Sequence, residues 1–337
     1  MSLAEQAAVL ALVKASARDW HRTANLIAEC GSAERIIDGE TGLVSRDQQD
    51  VVDEIRARLE PGDVERARQL IDRVTAGGVR LVTVLDVAYP VNLQMIYNRP
   101  PFIWVRGHLD PRDLKAVAVV GTRQASKEGR ENAAALASGL AEAGVCVVSG
   151  LARGIDTAAH TATLDAGGRT VAVICTGILS PTYPTENADL ARRIVSGGGA
   201  VVSQFWPEAP PRRTNFPLRN VVMSGLAAGT IVVEASATSG AKMQARIALE
   251  HGKRLFLPER LLEDQEWAQR YANRPGVTVV RALDDVLEAV VKAHHALRER
   301  HPDTPRPEGV QARSVASGRR QVLHPDRRDA FAVRRQP

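Results

Sequence analysis

The chain has 337 residues, 44% of them hydrophobic and 25% charged, with a formal net charge of +5. That apolar share excludes global disorder, and the length exceeds what one core usually organises, so a principal domain with smaller attachments is expected. Residues 296–337 hold ten Arg against five Asp and Glu, a surplus equal to that of the whole chain. The first 295 residues are therefore neutral in sum, and any polyanion site there must be a local cluster assembled by folding.

The first 75 residues read as helices. LAEQAAVLALVKAS is apolar on a helical period, ARDWHRTANLIAECG closes at Gly31, QQDVVDEIRARLEPG at Gly62, and GDVERARQLIDRVTAGG at Gly77 and Gly78. Glu5 stands before a short apolar stretch with no leading cationic region, and no run reaches the length of a membrane span. A cytoplasmic location with no membrane partner is the expectation.

Strand signals begin with RLVTVLD, and Tyr89-Pro90 and Arg99-Pro100-Pro101 then lead into FIWVRG. From Lys115 the runs AVAVVG, VCVVSG, TVAVIC, AVVSQF, TIVVEA and RLFLP alternate with helical stretches such as EGRENAAALASGLAEAG and SGAKMQARIALEHG. This alternation predicts an α/β fold: a Rossmann-like, doubly wound, mostly parallel sheet with helices on both faces and ligands at the carboxyl ends of its strands. VTVVRALDDVLEAVVKAH supplies a last strand and helix. After it, Pro302, Pro305, Pro307 and scattered Arg with little apolar content read as a disordered basic tail. The expected organisation is a helical N-terminal domain over 1–75, an extended Rossmann-like domain over 76–295 and a tail over 296–337.

Three strand-to-helix loops are rich in glycine and polar residues. They are Gly121-Thr122-Arg123-Gln124-Ala125-Ser126, then Ser149-Gly150-Leu151-Ala152-Arg153-Gly154, and Thr176-Gly177 leading to Tyr183-Pro184-Thr185-Glu186-Asn187. Glycine lets a backbone approach a phosphate and free amides at helix starts favour anions, so the three together read as a phosphate cradle. The plain alternative is three tight turns. A fourth segment, Asn215-Phe216-Pro217-Leu218-Arg219-Asn220, sets an aromatic ring beside a cation, the pairing that holds single strands by stacking and charge. Its plain alternative is a buried Phe216 with a surface Arg219. Glu234, Ser239, Gly240 and Lys242 come from a fifth loop at the same edge, and Arg123, Arg153, Arg219 and Lys242 are expected to form one cationic pocket.

Neither a phosphate-loop G-x-x-x-x-G-K-[ST] nor a dinucleotide G-x-G-x-x-G is present. Asp156 and His160, four apart, could form an acid–base pair on one helix face, but a first-turn Asp with a structural His is the simpler reading. Cys30, Cys146 and Cys175 lie far apart and read as reduced thiols, the latter two buried.

Gly121-Thr122-Arg123 with Ser126 and Gly129, SGLARGIDTAAH, Gly177 with YPTEN, FPLRN, and VVEASATSGA resemble, in order and spacing, successive motifs of the DNA-processing protein A (DprA/Smf) family. YPVNLQMIYNRPPFIWVRG and the helical N-terminus resemble that family's approach to its Rossmann-like domain, the N-terminus being of SAM-like type. The resemblance implies binding of single-stranded DNA through a basic pocket, homodimerisation through the Rossmann-like domain, and loading of the RecA recombinase during DNA uptake in natural transformation. It implies no catalysis, no cofactor and no metal. Carried onto this chain, the DNA-contacting positions are Gly121, Thr122, Arg123 and Ser126; Ser149, Gly150, Arg153 and Gly154; Gly177; Phe216, Arg219 and Asn220; and Ser239, Gly240 and Lys242.

The chain departs from the family's pattern at three places. Val221 replaces the second Arg of FPxRNR, Ala241-Lys242-Met243-Gln244-Ala245 replaces a serine-leucine-x-threonine-alanine run, and Leu257-Pro258-Glu259 replaces valine-proline-glycine. The alternative function is a nucleotide-processing phosphoribohydrolase or nucleotide-signal sensor of related Rossmann-like fold, with Glu234 as its acid–base group. That enzyme family carries P-G-G-x-G-T before its glutamate, where this chain has Gly225-Leu226-Ala227-Ala228-Gly229-Thr230. A role in defence against foreign DNA would use the same pocket.

Overall fold

The computed structural model describes residues 1–16, 20–42 and 45–300. Five helices come first: α1 (Leu3–Ala15), α2 (Trp20–Cys30), α3 (Ala33–Asp38), α4 (Arg46–Arg58) and α5 (Asp63–Thr75). The Ser2 hydroxyl accepts the Glu5 amide at 3.1 Å and so caps α1, while Ser45 and Gln48 cap α4 reciprocally. Residues Ala7–Val13 of α1 are buried on every side, which suits a central helix packed between α3 and α5.

β1 (Val79–Thr83), α6 (Val91–Gln94) and β2 (Phe102–Gly107) follow. The alternating part then runs β3 (Val117–Val120), α7 (Lys127–Glu142), β4 (Val147–Ser149), α8 (Ile155–Asp165), β5 (Thr170–Val173), α9 (Ala188–Ser196), β6 (Ala200–Ser203), α10 (Asn215–Leu226), β7 (Gly229–Val232), α11 (Gly240–Glu250) and β8 (Arg254–Pro258). Two short helices, α12 (Glu259–Asp264) and α13 (Glu266–Ala272), precede β9 (Val277–Val280) and α14 (Leu283–Arg300). The helix α14 thus extends five residues past His295, and residues 301–337, where the rest of the expected tail lies, are outside the described residues.

All nine strands form one sheet in the order β1-β2-β6-β5-β4-β3-β7-β8-β9. The seven from β6 to β9 are parallel, whereas β2 pairs antiparallel with both β1 and β6. The expected Rossmann-like, mostly parallel sheet is therefore present, with two antiparallel strands added at one edge. Every residue of β3, β5, β6 and β7 is buried, as a sheet covered on both faces requires. Alternation divides them between two apolar layers: Val117 and Val119 join Leu136, Leu140, Ile155 and Val286, while Ala118 and Val120 join Val222, Met223 and Ala245. The second layer continues into the N-terminal helices, where the Trp20 ring lies 5.7 Å from Phe102 and 6.2 Å from Trp206. Strand order reverses between β3 and β7, so the loops after these two strands flank the crevice where open α/β sheets bind ligands.

Among the described residues no helix is long and apolar enough to cross a membrane. The three cysteines are free, Cys146 and Cys175 being buried and Cys30 half-buried.

Candidate functional site

The loops after β3, β4, β5 and β7 gather at the carboxyl edge, but most of their backbone donors are already engaged. The Glu234 carboxylate, from the loop after β7, accepts the Ser126 amide at 3.1 Å and the Ser126 hydroxyl at 2.8 Å. The Glu234 carbonyl accepts the Thr122 amide at 2.7 Å. Ser126 Oγ in turn accepts the Gly129 amide at 2.8 Å and caps α7. The start of α7 therefore holds an internal anion where a phosphate was expected. Asp156, in the first turn of α8, accepts the Gly150 and Ala152 amides of the preceding loop at 3.2 and 3.3 Å. In the third loop the Gly177 amide donates to the Ala209 carbonyl at 2.8 Å.

The glycines of these loops answer to packing. A side-chain carbon on Gly121 would strike Ile155, on Gly154 the Thr122 carbonyl, and on Gly177 the Pro207 carbonyl. One on Gly150 would overlap the guanidinium of Arg219. Arg219 is only 6% exposed, with Nη1 3.8 Å from the buried Asp156 carboxylate. Burial pushes the Asp156 carboxyl up and the Arg219 guanidinium down, and each is opposed by the charge of the other.

His160 is fully buried, and its pKa is pushed down to about 3 by burial first and by Arg219 second. The Thr170 hydroxyl gives its one proton to the Val147 carbonyl at 2.6 Å, so it accepts from His160 Nδ1 at 2.7 Å. Asp156 and His160 are thus a buried carboxyl that braces the preceding loop and a neutral structural imidazole, placed away from solvent.

What remains open to a ligand is a cavity of about 410 Å³ at the β3/β7 switch point. Gly121, Thr122 and Arg123 form one wall, Ser239 and Gly240 another, and Phe216, Arg219, Asn220 and Met223, spaced on one face of α10, a third. Asn215 fixes the start of α10 by donating its amide to the Cys175 carbonyl at 2.9 Å. At the mouth the exposed Arg123 guanidinium lies 4.5 Å over the Phe216 ring, and the half-exposed Tyr183 ring stands 6.3 Å from Phe216. Cation, ring and ring form a stacking platform, of which the sequence reading had named Arg123 and Phe216 but given Tyr183 no role.

Arg123, Arg153 and Arg219 share a smaller adjoining cleft, but Lys242 lies on the wall of neither space, so the four cations do not form the single cluster expected of them. Arg153 is held by Glu186 through a two-point ion pair, Nη2 to Oε2 at 2.7 Å. Ser149 is buried and donates its hydroxyl to the Val119 carbonyl at 2.6 Å. Gly154 borders a separate open groove between α7 and α8. A second cavity, of about 440 Å³, opens at the far edge among apolar residues such as Val82, Leu109, Val148 and Val171, and offers little to a polyanion. Among the described residues no group of three or more His, Cys, Asp or Glu is placed to hold a metal ion. The residue the sequence reading missed is Gln244, which lines the switch-point cavity; its signal was the departure from the family's run after Ser239-Gly240.

An open α/β sheet with a polar, ring-bearing cavity at its switch point defines a Rossmann-like protein. The family model described as DNA recombination-mediator protein A matches residues 80–291, and the chain belongs to that family. It is 38% identical over 206 residues to DNA processing protein DprA of Streptococcus pneumoniae, covering 61% of this chain and 72% of that one. The X-ray structure of that protein matches with a TM-score of 0.64 at 30% identity, over 86% of this chain and 98% of the other. Protein Smf of Escherichia coli is 32% identical over 288 residues, 85% of this chain and 74% of its own length. The DprA structure from Helicobacter pylori, reported for its single-stranded DNA binding mode, shares the fold with a TM-score of 0.56 at 22% identity, over 64% of this chain and 96% of that one.

Proposed function

We propose that the chain binds single-stranded DNA at the switch-point edge and acts, as a homodimer, as a mediator that loads RecA recombinase during DNA uptake in natural transformation. The observation that carries the binding reading is the Arg123 guanidinium stacked on Phe216 at the cavity mouth. A ring supports a base of any identity while the cation meets the backbone, which is how sequence-tolerant single-strand sites work. With the loop amides engaged internally, side chains rather than a backbone cradle meet the phosphates. Family membership supports the mediator role, and the recombinase partner and the homodimer are what the motif resemblance implies.

The same reading makes the protein a binder without chemistry of its own. Glu234, the acid–base group of the nucleotide-processing alternative, spends its carboxylate on Ser126 and is absent from the cavity wall. Titration with single-stranded DNA, duplex DNA and a nucleotide panel tests both parts. Single strands should bind tightest, and Arg123→Ala should weaken them and lower the slope of log affinity against log salt by about one. No base, phosphate or nucleotide should be released. Turnover that vanishes in a folded Glu234→Gln protein would replace this reading with the enzymatic one.

A further inference from the structure

We propose that Gln244 makes the switch-point cavity a nucleobase-reading pocket that favours purines, adenine included, over thymine; this deepens, and rests on, the single-strand reading above. Gln244 lies in the first turns of α11, is 1% exposed and lines the cavity. Among the described residues neither Nε2 nor Oε1 of its carboxamide has a hydrogen-bond partner. Folded proteins rarely leave both ends of an interior amide unpaired, because each end has given up water without replacement. Arg219 Nε, in the same cavity wall, is likewise buried and unpartnered. An unpaired carboxamide and an unpaired guanidinium Nε bordering one polar cavity call for a ligand with hydrogen-bonding edges.

That ligand is also flat. The cavity carries the Phe216 ring in its wall, and its volume of about 410 Å³ admits a purine. A carboxamide sets one donor beside one acceptor. Adenine offers the matching pair at its 6-amino group with N7 or N1 and guanine at N1–H with O6, while thymine offers N3–H with O4 or O2 and cytosine its 4-amino group with N3. Every base can therefore meet the carboxamide, and a purine adds the larger face for the ring. The carboxamide meets the base by turning toward the cavity its side chain already borders, while Arg123 at the mouth holds the neighbouring backbone. The feature belongs to this chain: the family pattern it resembles has threonine at this position, whose single short hydroxyl cannot offer a donor and an acceptor side by side.

The test uses fluorescence anisotropy with the full-length protein and two 20-nucleotide strands, all thymine and thymine with every fourth base replaced by adenine. The intact protein should bind the adenine-bearing strand about fivefold tighter or more. Gln244→Met and Gln244→Thr should bind both strands alike. Equal binding by the intact protein, or discrimination retained in both variants, overturns the pocket and leaves the single-strand reading standing. Binding to neither strand by the intact protein removes that reading and this inference together. Gln244→Met, which keeps the chain length and deletes the unpaired amide, should melt no lower than the intact protein. A fall of about 5 °C or more would make Gln244 a structural residue instead.

Discussion

Arg219 shows how a cation suited by sequence to a phosphate can be spent inside the protein. Gly150 leaves the space its guanidinium fills, and Asp156, in the first turn of α8, supplies the opposing charge. Arg219→Met should cost about 3–5 kcal/mol, because it leaves the Asp156 carboxylate buried without its counter-ion. Urea denaturation measures this, and a loss under about 1 kcal/mol would mean that Asp156 is served by its two amide donors alone. DNA affinity lost in that variant is therefore ambiguous, whereas the exposed Arg123 is free of the difficulty. His160 gives a second prediction at this scale. Its folded pKa of about 3 lies below the ordinary 6.5, so between those values the unfolded chain takes up a proton that the folded chain refuses. This contribution to stability is complete above about pH 6.5 and falls by about 1.4 kcal/mol per pH unit as the pH drops below it. His251, held near 4 by burial and then by Lys253, acts in the same direction. Denaturation midpoints between pH 7 and 5 should show the decline, and His160→Leu should flatten it by one proton; an unchanged slope would place His160 in a solvated setting.

The joints between elements matter as much as the elements. Glu234 ties the loop after β7 to the start of α7 and so bridges the two sides of the switch-point crevice. Gly129, in the first turn of α7, is glycine because a side-chain carbon there would overlap that carboxylate. Glu234→Gln keeps the shape but trades charge-assisted hydrogen bonds for neutral ones and should cost about 1–3 kcal/mol. Gly129→Ala should destabilise the intact protein more than it destabilises Glu234→Ala, where the space is vacant. A double-mutant cycle reads the difference, and strict additivity would show that the two residues do not meet.

Over the whole molecule, charge is concentrated at the carboxyl end of the chain. Residues 301–337 hold eight Arg against four Asp and Glu, leaving 1–300 with a formal +1. Ending the chain after Arg300 should weaken DNA binding mainly at low salt and reduce the salt slope, because removed cations no longer release counter-ions from the strand. The thermal transition should be retained, since the apolar layers are built from residues before 300. Unchanged affinity at low salt would confine binding to the folded edge, and loss of the transition would give the terminal segment a part in the core.

The alternation of β-branched runs with helical stretches by itself determined the doubly wound sheet and the edge where the loops gather. Strand and helix periods are local properties, and a parallel strand followed by a helix has essentially one way to return. RLVTVLD and FIWVRG were legible as strands, but their antiparallel place beside β6 follows from long-range register that no local pattern carries. The motifs located Arg123, Phe216 and Arg219 at one edge, yet composition cannot distinguish an arginine facing solvent from one folded into the space of a distant glycine. Only the tertiary structure decided that Glu234 fills the start of α7 where phosphate was expected, and that Gln244 reaches the cavity wall. Each depends on which loops meet across the β3/β7 crevice, because hydrogen bonds and ion pairs are settled over a few ångströms between residues that are in places more than a hundred positions apart.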